Sequence, residues 1–302
     1  MNVQNTDTAA EAVVANGLGK RFGQKKALDD LDLRLGQRGI TAILGANGAG
    51  KTTFIRCVLG LTRHDTGSIS VFGHAPGSAA ARSRTGVMLQ DADLPHLLTP
   101  REHLTLFASY YDRPLGVDQA IATCDLTDFA DKRYKKLSGG QKRRTQFALS
   151  VIGQPSLLFL DEPTTGLDTD ARRTLWQTVR NLADAGTAIV LTTHYLEEAD
   201  ALADRVVVIR DGKVLTDAST QTIRETVGGS LIRCVTTAAL NSVSALDGVR
   251  SVRTEGRFTE LLCHDAPAAL RALFAIDPSP QDLTVSKPSL EEAIAGLATV
   301  TP

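Results

Sequence analysis

No apolar run in this 302-residue chain reaches the length of about 18 that a helix needs to cross a bilayer. Any service to a membrane is therefore expected from outside it. Residues 1–15 carry no positive segment followed by an apolar one, which argues against a secretory signal. Cysteine is sparse: Cys57, Cys124, Cys234 and Cys263 stand far apart, with no CxxC pair and no Cys/His cluster. That spacing reads as reduced, part-buried small hydrophobes of a cytosolic protein. An excess of charge is missing as well. The 33 Lys and Arg nearly balance the 34 Asp and Glu, so the basic footprint of a nucleic-acid binder is absent and no nucleic-acid partner is expected. Internal repeats and low-complexity segments are also absent. With 42% hydrophobic and 22% charged residues the composition is globular, and a core of this size needs no disulfide or metal staple.

From about residue 11 to residue 216 short β-rich runs alternate with helical patterns. Strands are expected at 41–44, 157–160, 188–192 and 205–209, almost continuously apolar, as befits a parallel sheet covered on both faces. Helices are expected at 52–61, 141–152, 171–185 and 196–203. This alternation predicts an α/β domain over 1–218, with an inserted helical lobe at about 91–136 where the alternation breaks. A helical pattern near 222–227 ends at Gly228-Gly229, and a small accessory domain is expected over 219–302. Its β-α-β-β-α-β order (231–235, 238–246, 249–253, 258–263, 267–275, 283–285) suggests an α+β, ferredoxin-like fold. A last helix is expected on Leu290, Ala293, Ile294 and Leu297, which share one face.

Gly45-Ala46-Asn47-Gly48-Ala49-Gly50-Lys51-Thr52, with Thr53 next, follows the apolar run 40–44 and opens a helix. This is the P-loop pattern in its P-loop context. Glycines let backbone N–H groups turn inward on phosphate oxygens where a Cβ would intrude, and the helix start presents more N–H groups to the same anion. Lys51 is expected to neutralise the outer phosphates of ATP, and the Thr52 hydroxyl to ligate Mg²⁺. The strand Leu157-Leu158-Phe159-Leu160 then delivers Asp161 and Glu162 beside this cradle. Asp161 suits the outer coordination of Mg²⁺, and Glu162 can polarise water for attack on the γ-phosphate.

Leu137-Ser138-Gly139-Gly140-Gln141 opens a further helix. Ser138 is a good N-cap and the paired glycines expose N–H groups, so this is a second anion site. One nucleotide needs one cradle. Two cradles make sense if each nucleotide is sandwiched between the P-loop of one subunit and this segment of another. The segment resembles the signature sequence of ABC ATPases, and the resemblance covers about residues 11–216. It implies that Phe22 stacks on adenine where the family commonly has Tyr. It also implies that Gln90 is the glutamine linking Mg²⁺ and the attacking water to the helical lobe. Gly166-Leu167-Asp168 would cross to the second subunit, and His194 would contact the γ-phosphate. Gln90, Thr52 and Asp161 thus form the expected metal set, with Glu162, His194, Gln90 and Lys51 as the catalytic set. His64, His74, His96, His103 and His264 are read as structural.

Two ATPase modules in one chain, or a long coiled-coil insertion, would mark the members that act away from membranes; neither occurs here. Pro288-Ser289-Leu290-Glu291-Glu292-Ala293-Ile294 resembles the tail of the daunorubicin-resistance type of ABC ATPase. That resemblance implies a homodimer beneath separate integral-membrane permease subunits, peripheral on the cytoplasmic face of the inner membrane, driving export. Leu94, Pro95, Leu97 and Leu98 would grip a permease helix or, alternatively, pack inside the lobe. A regulatory ATPase acting on a soluble partner is the alternative function. A P-loop kinase would leave the signature and His194 without a job.

Overall fold

The runs at 40–44, 157–161 and 188–192 have every side chain buried, the pattern of interior strands in a sheet covered on both faces. The computed structural model describes residues 11–90, 92–193, 195–227 and 229–287. They fall into two compact units, Met1–Ala218 and Ser219–Pro302.

In the first unit β1 (Glu11–Phe22), β2 (Lys25–Gly36), β3 (Ile40–Leu44), α1 (Lys51–Val58), β4 (Thr66–Val71), α2 (Ala79–Arg82) and β5 (Thr85–Met88) come first. Next are α3 (Pro100–Ala108), α4 (Val117–Thr123), α5 (Gly139–Val151), β6 (Leu157–Asp161) and α6 (Thr169–Asp184). The unit closes with β7 (Ala188–Thr192), α7 (Leu196–Leu202), β8 (Arg205–Arg210) and β9 (Lys213–Ser219), the last running one residue past the unit boundary. The central sheet is ordered β5-β6-β7-β3-β8-β9, and the pairs from β5 to β8 are parallel. Leu157 and Phe159 of β6 share a buried cluster with Ile43, Phe54, Ile55 and Val190.

One departure from the expected alternation stands at the start. β1 and β2 join directly through Gly23 and Gln24, and with β4 they form an antiparallel sheet ordered β2-β1-β4. In β2, Leu31, Leu33 and Leu35 are buried while Asp32 and Arg34 point to solvent, the period-2 pattern of a sheet with one face covered. The helical insertion contains α3, opened by a capping box between Thr99 and Glu102, then α4, and both pack on α5.

The second unit runs α8 (Thr220–Val227), β10 (Ser230–Val235), α9 (Leu240–Ser244), β11 (Val249–Glu255), β12 (Phe258–Cys263), α10 (Ala266–Ile276) and β13 (Gln281–Ser286). Its antiparallel sheet is ordered β11-β12-β10-β13, which is the ferredoxin-like arrangement. Ile232, Cys234, Val243, Leu261, Cys263 and Leu273 make its core. A register shift between Val249 and Ser251 explains why β11 does not alternate cleanly in sequence. The chain reverses at Gly229, whose φ of 92° and whose approach to the Cys263 carbonyl leave no room for a Cβ. The helix expected on Leu290, Ala293, Ile294 and Leu297, and the tail 288–294, lie outside the described residues. All four cysteines are buried free thiols, and burial pushes Cys124 up to about 12 and Cys263 up to about 11.

Phe159 is fully buried at the centre of the parallel sheet. Phe159→Ala should cost about 3–5 kcal/mol of stability. Urea titration of the first unit's unfolding transition checks this, and an unchanged midpoint would contradict the packing.

Candidate functional site

β3 ends at Leu44, and the next residues fold back on themselves before α1 begins. Gly45 and Gly50 adopt φ of 154° and 114°, and a Cβ on them would stand 2.3 Å from the Ile209 carbonyl and 2.4 Å from the Ala27 carbonyl. Neither position has room for another residue. α1 opens at Gly50 with no side-chain cap, so its first N–H groups face the loop unclaimed by any capping side chain. Lys51 is buried, and its Nζ donates to the carbonyls of Gly45 at 2.6 Å and Ala46 at 3.2 Å. Burial pushes the Lys51 ammonium below its ordinary range, against the pull of Glu162 and Asp161.

β6 brings the carboxylates. Asp161 is buried; Thr52 Oγ1 donates to its Oδ2 at 3.4 Å and the Thr192 hydroxyl donates to its Oδ1. The backbone then turns left-handed at Glu162, φ 50°, which swings the second carboxylate away from the first. For a residue with a side chain such a conformation costs of order 1–3 kcal/mol and persists only where the surroundings enforce it. Two anchors do so. The Glu162 N–H donates to Thr192 O at 3.1 Å and to Thr192 Oγ1 at 3.2 Å. Arg143 of α5 donates to the carbonyls of Asp161 at 2.7 Å, Glu162 at 2.5 Å and Pro163 at 3.3 Å. The same guanidinium donates to Leu89 O and Gln90 O, both at 3.2 Å. Gln90 Nε2 in turn donates to Glu162 Oε2 at 3.0 Å.

These elements surround a cavity of about 450 Å³ lined by Phe22, Lys25, Gly48, Lys51, Gln90 and Glu162 among others. Asn47, Gly50, Thr52 and Thr53 also line it. Phe22 is 54% exposed at this cavity, so it is no core aromatic. The polar groups fit a nucleotide with its cation. The cradle has glycines where a Cβ would collide, a buried ammonium, and a hydroxyl, an amide and two carboxylates of the oxygen-rich kind that a hard divalent ion takes. Among the described residues no group of three His, Cys, Asp or Glu converges on a metal. Mg²⁺ commonly takes one or two protein oxygens together with substrate phosphates, a demand that Thr52 and Asp161 can meet.

Residues 138–141 and Asp168 do not line the cavity. Ser138 Oγ accepts from the Gln141 N–H at 3.2 Å and Gln141 Oε1 accepts from the Ser138 N–H at 3.0 Å, so this pair forms a capping box on α5. A Cβ on Gly139 would meet nothing within 4 Å: its backbone lies open. Asp168 caps α6 through the Ala171 N–H at 2.8 Å. Pro95 and Leu97 are exposed, whereas Leu94 and Leu98 are half-buried. His103 is fully buried with Nε2 on the Pro95 carbonyl at 3.0 Å, a packing histidine. His194 lies outside the described residues.

Sequence reasoning missed Arg143, Thr192 and Lys25. For Arg143 a signal existed: it shares the spacing of Phe147 and Ser150, which are buried on one face of α5. It also missed Glu198 of α7, which is 1% exposed. Trp176 Nε1 donates to its Oε1 at 3.3 Å, while Oε2 has no well-aligned donor. Burial raises the Glu198 carboxyl above its usual range, offset in part by Thr193, Trp176, Thr164 and Arg172.

The native state thus holds the Glu198 proton more tightly than the unfolded chain does. Its stabilising contribution is complete below the ordinary glutamate range and is lost as pH rises through the raised folded value. Glu198→Gln has no such loss, so its melting temperature should gain on the wild type over a pH series that starts in the ordinary glutamate range and rises from it. Parallel melting curves across that series would sink the assignment.

The family described as ABC transporter matches residues 28–165. Daunorubicin resistance ATP-binding protein DrrA3 of Streptomyces coeruleorubidus is 39% identical over 307 residues, covering 96% of this chain and 96% of that protein. Nod factor export ATP-binding protein I of Burkholderia lata is 38% identical, over 68% of this chain and 70% of its own. Among solved structures, a dimeric post-hydrolysis state of the ATP-binding cassette MJ0796, bound to ADP and Pi, superposes with a TM-score of 0.63. It is 21% identical and covers 68% of this chain and 98% of that one, a likeness of fold.

Proposed function

The chain belongs to the ABC transporter ATP-binding family, and on that premise we propose that it powers export through permease subunits made as separate chains. It is an ATP-binding ATPase subunit of a transporter. The observation that carries the finer reading is the open helix start at Ser138-Gly139-Gly140, which stands outside the cavity around Lys51. It is half of a site that a second copy completes, and the chain works as a homodimer. Export is supported by the names of the relatives, which concern daunorubicin resistance and Nod factor export. A separate permease is supported by the match to DrrA3 over nearly the whole of both chains. No helix among the described residues is long and apolar enough to cross a membrane. The chain docks from the cytoplasmic face of the inner membrane, with exposed Pro95 and Leu97 against a permease helix.

The residues divide the work by position. Lys51 and the N–H groups from Gly45 through Thr53 hold phosphate oxygens, and Phe22 offers a π face to adenine, which contributes about 1–3 kcal/mol. Thr52, Asp161 and Gln90 hold Mg²⁺, which when bound neutralises phosphate charge as a Lewis acid. Glu162 orients water and accepts its proton. Gln90 fixes the direction of that carboxylate, and Arg143 fixes the turn on which it sits. Ser138, Gly139 and Gly140 act on the nucleotide of the second copy, and Asp168 meets the second chain beside it. The role of His194 as the γ-phosphate contact belongs to the same proposal.

Glu162→Gln should leave ATP binding intact and lower turnover by about 10²–10⁴-fold. It should also accumulate an ATP-dependent dimer, read by size-exclusion chromatography with light scattering. Turnover at the wild-type rate refutes the role of Glu162, and a strictly monomeric variant at saturating Mg-ATP refutes the shared site. Lys51→Ala should lose nucleotide in a direct titration. Gentle purification from membranes should bring down a polytopic subunit; a soluble companion instead would favour a regulatory ATPase.

A further inference from the structure

The cradle is approached by a cation that the P-loop pattern does not contain. Lys25 opens β2, immediately after the turn that follows Phe22, and lines the cavity. Its Nζ would stand 3.0 Å from a Cβ built on Gly48, so the ammonium reaches the middle of the phosphate loop. Lys51 meets the same loop at its start, on the Gly45 and Ala46 carbonyls.

Three neighbouring lysines are committed elsewhere. Lys26 pairs with Asp29 at 2.8 Å, Lys20 with Asp65 at 2.8 Å, and Lys213 with Asp29 at 3.6 Å. Lys20 additionally lies 5.5 Å from the Phe22 ring centroid. Among the described residues Lys25 makes no ion pair, although three carboxylates, Asp29, Asp30 and Asp65, line a second pocket together with its neighbours Lys20 and Lys26. An ammonium beside Gly48 that makes no ion pair keeps its charge free for an anion entering the cavity.

We propose that Lys25 is a second phosphate-binding cation of the nucleotide site, reaching nucleoside di- and triphosphates from the β1–β2 turn beside Gly48. This rests on the nucleotide site assigned above and extends it with a side chain outside the P-loop. Lys25 stands three residues from Phe22 and lines the same cavity, so with adenine stacked on Phe22 it meets the part of the phosphate chain nearer the base. Lys51 serves the outer phosphates. Lys25 therefore acts on ADP and ATP alike and sets affinity rather than turnover. Because it is exposed, its contribution is screened by salt, unlike that of buried Lys51.

Calorimetric titration of the full chain with ATP and with ADP, at low and at high salt, tests this. Lys25→Gln should weaken both nucleotides about three- to tenfold at low salt, the size of one exposed charge-assisted contact, and the gap to wild type should narrow at high salt. Lys25→Arg should stay within about twofold of wild type because it keeps the charge. Wild-type affinity in Lys25→Gln overturns the proposal. So does a loss that persists at high salt or that arginine does not repair, since either assigns Lys25 to structure. Lys51→Ala, run alongside, separates the two levels. Lost binding there with an unaffected Lys25→Gln removes Lys25 alone, whereas two unaffected variants remove the nucleotide site and the proposal with it.

Discussion

Arg143 donates hydrogen bonds to five backbone carbonyls drawn from two loops, 89–90 and 161–163. Carbonyl oxygens of loops that bend away from regular ladders must find donors once buried, and a guanidinium offers five N–H groups in a fixed plane. Burying that cation is expensive, and burial does push its pKa down, against Asp161 and Glu162, which hold it charged. What the expense secures is the left-handed turn at Glu162. Without the clamp, the left-handed turn would rest on the Thr192 anchors alone, and the Gln90 contact to the Glu162 carboxylate with it.

The clamp also links the start of α5 to the carboxylate turn. Arg143 lies two residues past the capping box that opens α5, so the open glycine start and the guanidinium are parts of one rigid helix. A displacement of α5 as a body moves both the Ser138 end and the carbonyl clamp on 161–163. On the shared site proposed above, an anion engaging the helix start would thereby be coupled to the geometry of Glu162 within the same chain.

Much of this was legible in the residues. Gly45 through Thr52 followed a wholly apolar strand, and the carboxylate pair ended another, because a phosphate cradle and a metal site need particular residue types at fixed offsets. The ferredoxin-like order of the second unit was legible too, through runs of β-branched and aliphatic residues, although helix 238–246 contracted to Leu240–Ser244. The antiparallel β1-β2-β4 sheet was not, since strand-helix alternation was extended over a segment whose period-2 pattern in Leu31, Leu33 and Leu35 argued otherwise. Arg143 and Lys25 escaped for opposite reasons. Arg143 sits in the run Lys142-Arg143-Arg144, where charge reads as a solvated face and only the helical phase reveals the buried one. Lys25 sits in Lys25-Lys26, where sequence cannot tell the cation that pairs with Asp29 from the one that does not.

Ser138, Gln141 and Asp168 raise a question of capacity, because each already caps a helix. Ser138 Oγ accepts one hydrogen bond from the Gln141 N–H, which leaves its own O–H to donate. A phosphate oxygen is an acceptor, so the cap orients the hydroxyl for an anion and does not compete with it. Gln141 differs: its Oε1 is engaged by the Ser138 N–H, and only its amide N–H₂ could face a phosphate. Asp168 spends Oδ1 on the Ala171 N–H and keeps Oδ2 as an acceptor, suited to meeting N–H or O–H groups of a second chain and unsuited to phosphate. Hydrogen-bond polarity thus sorts these residues into a donor surface at 138–140, suited to an anion, and an acceptor at 168, suited to N–H or O–H groups of protein.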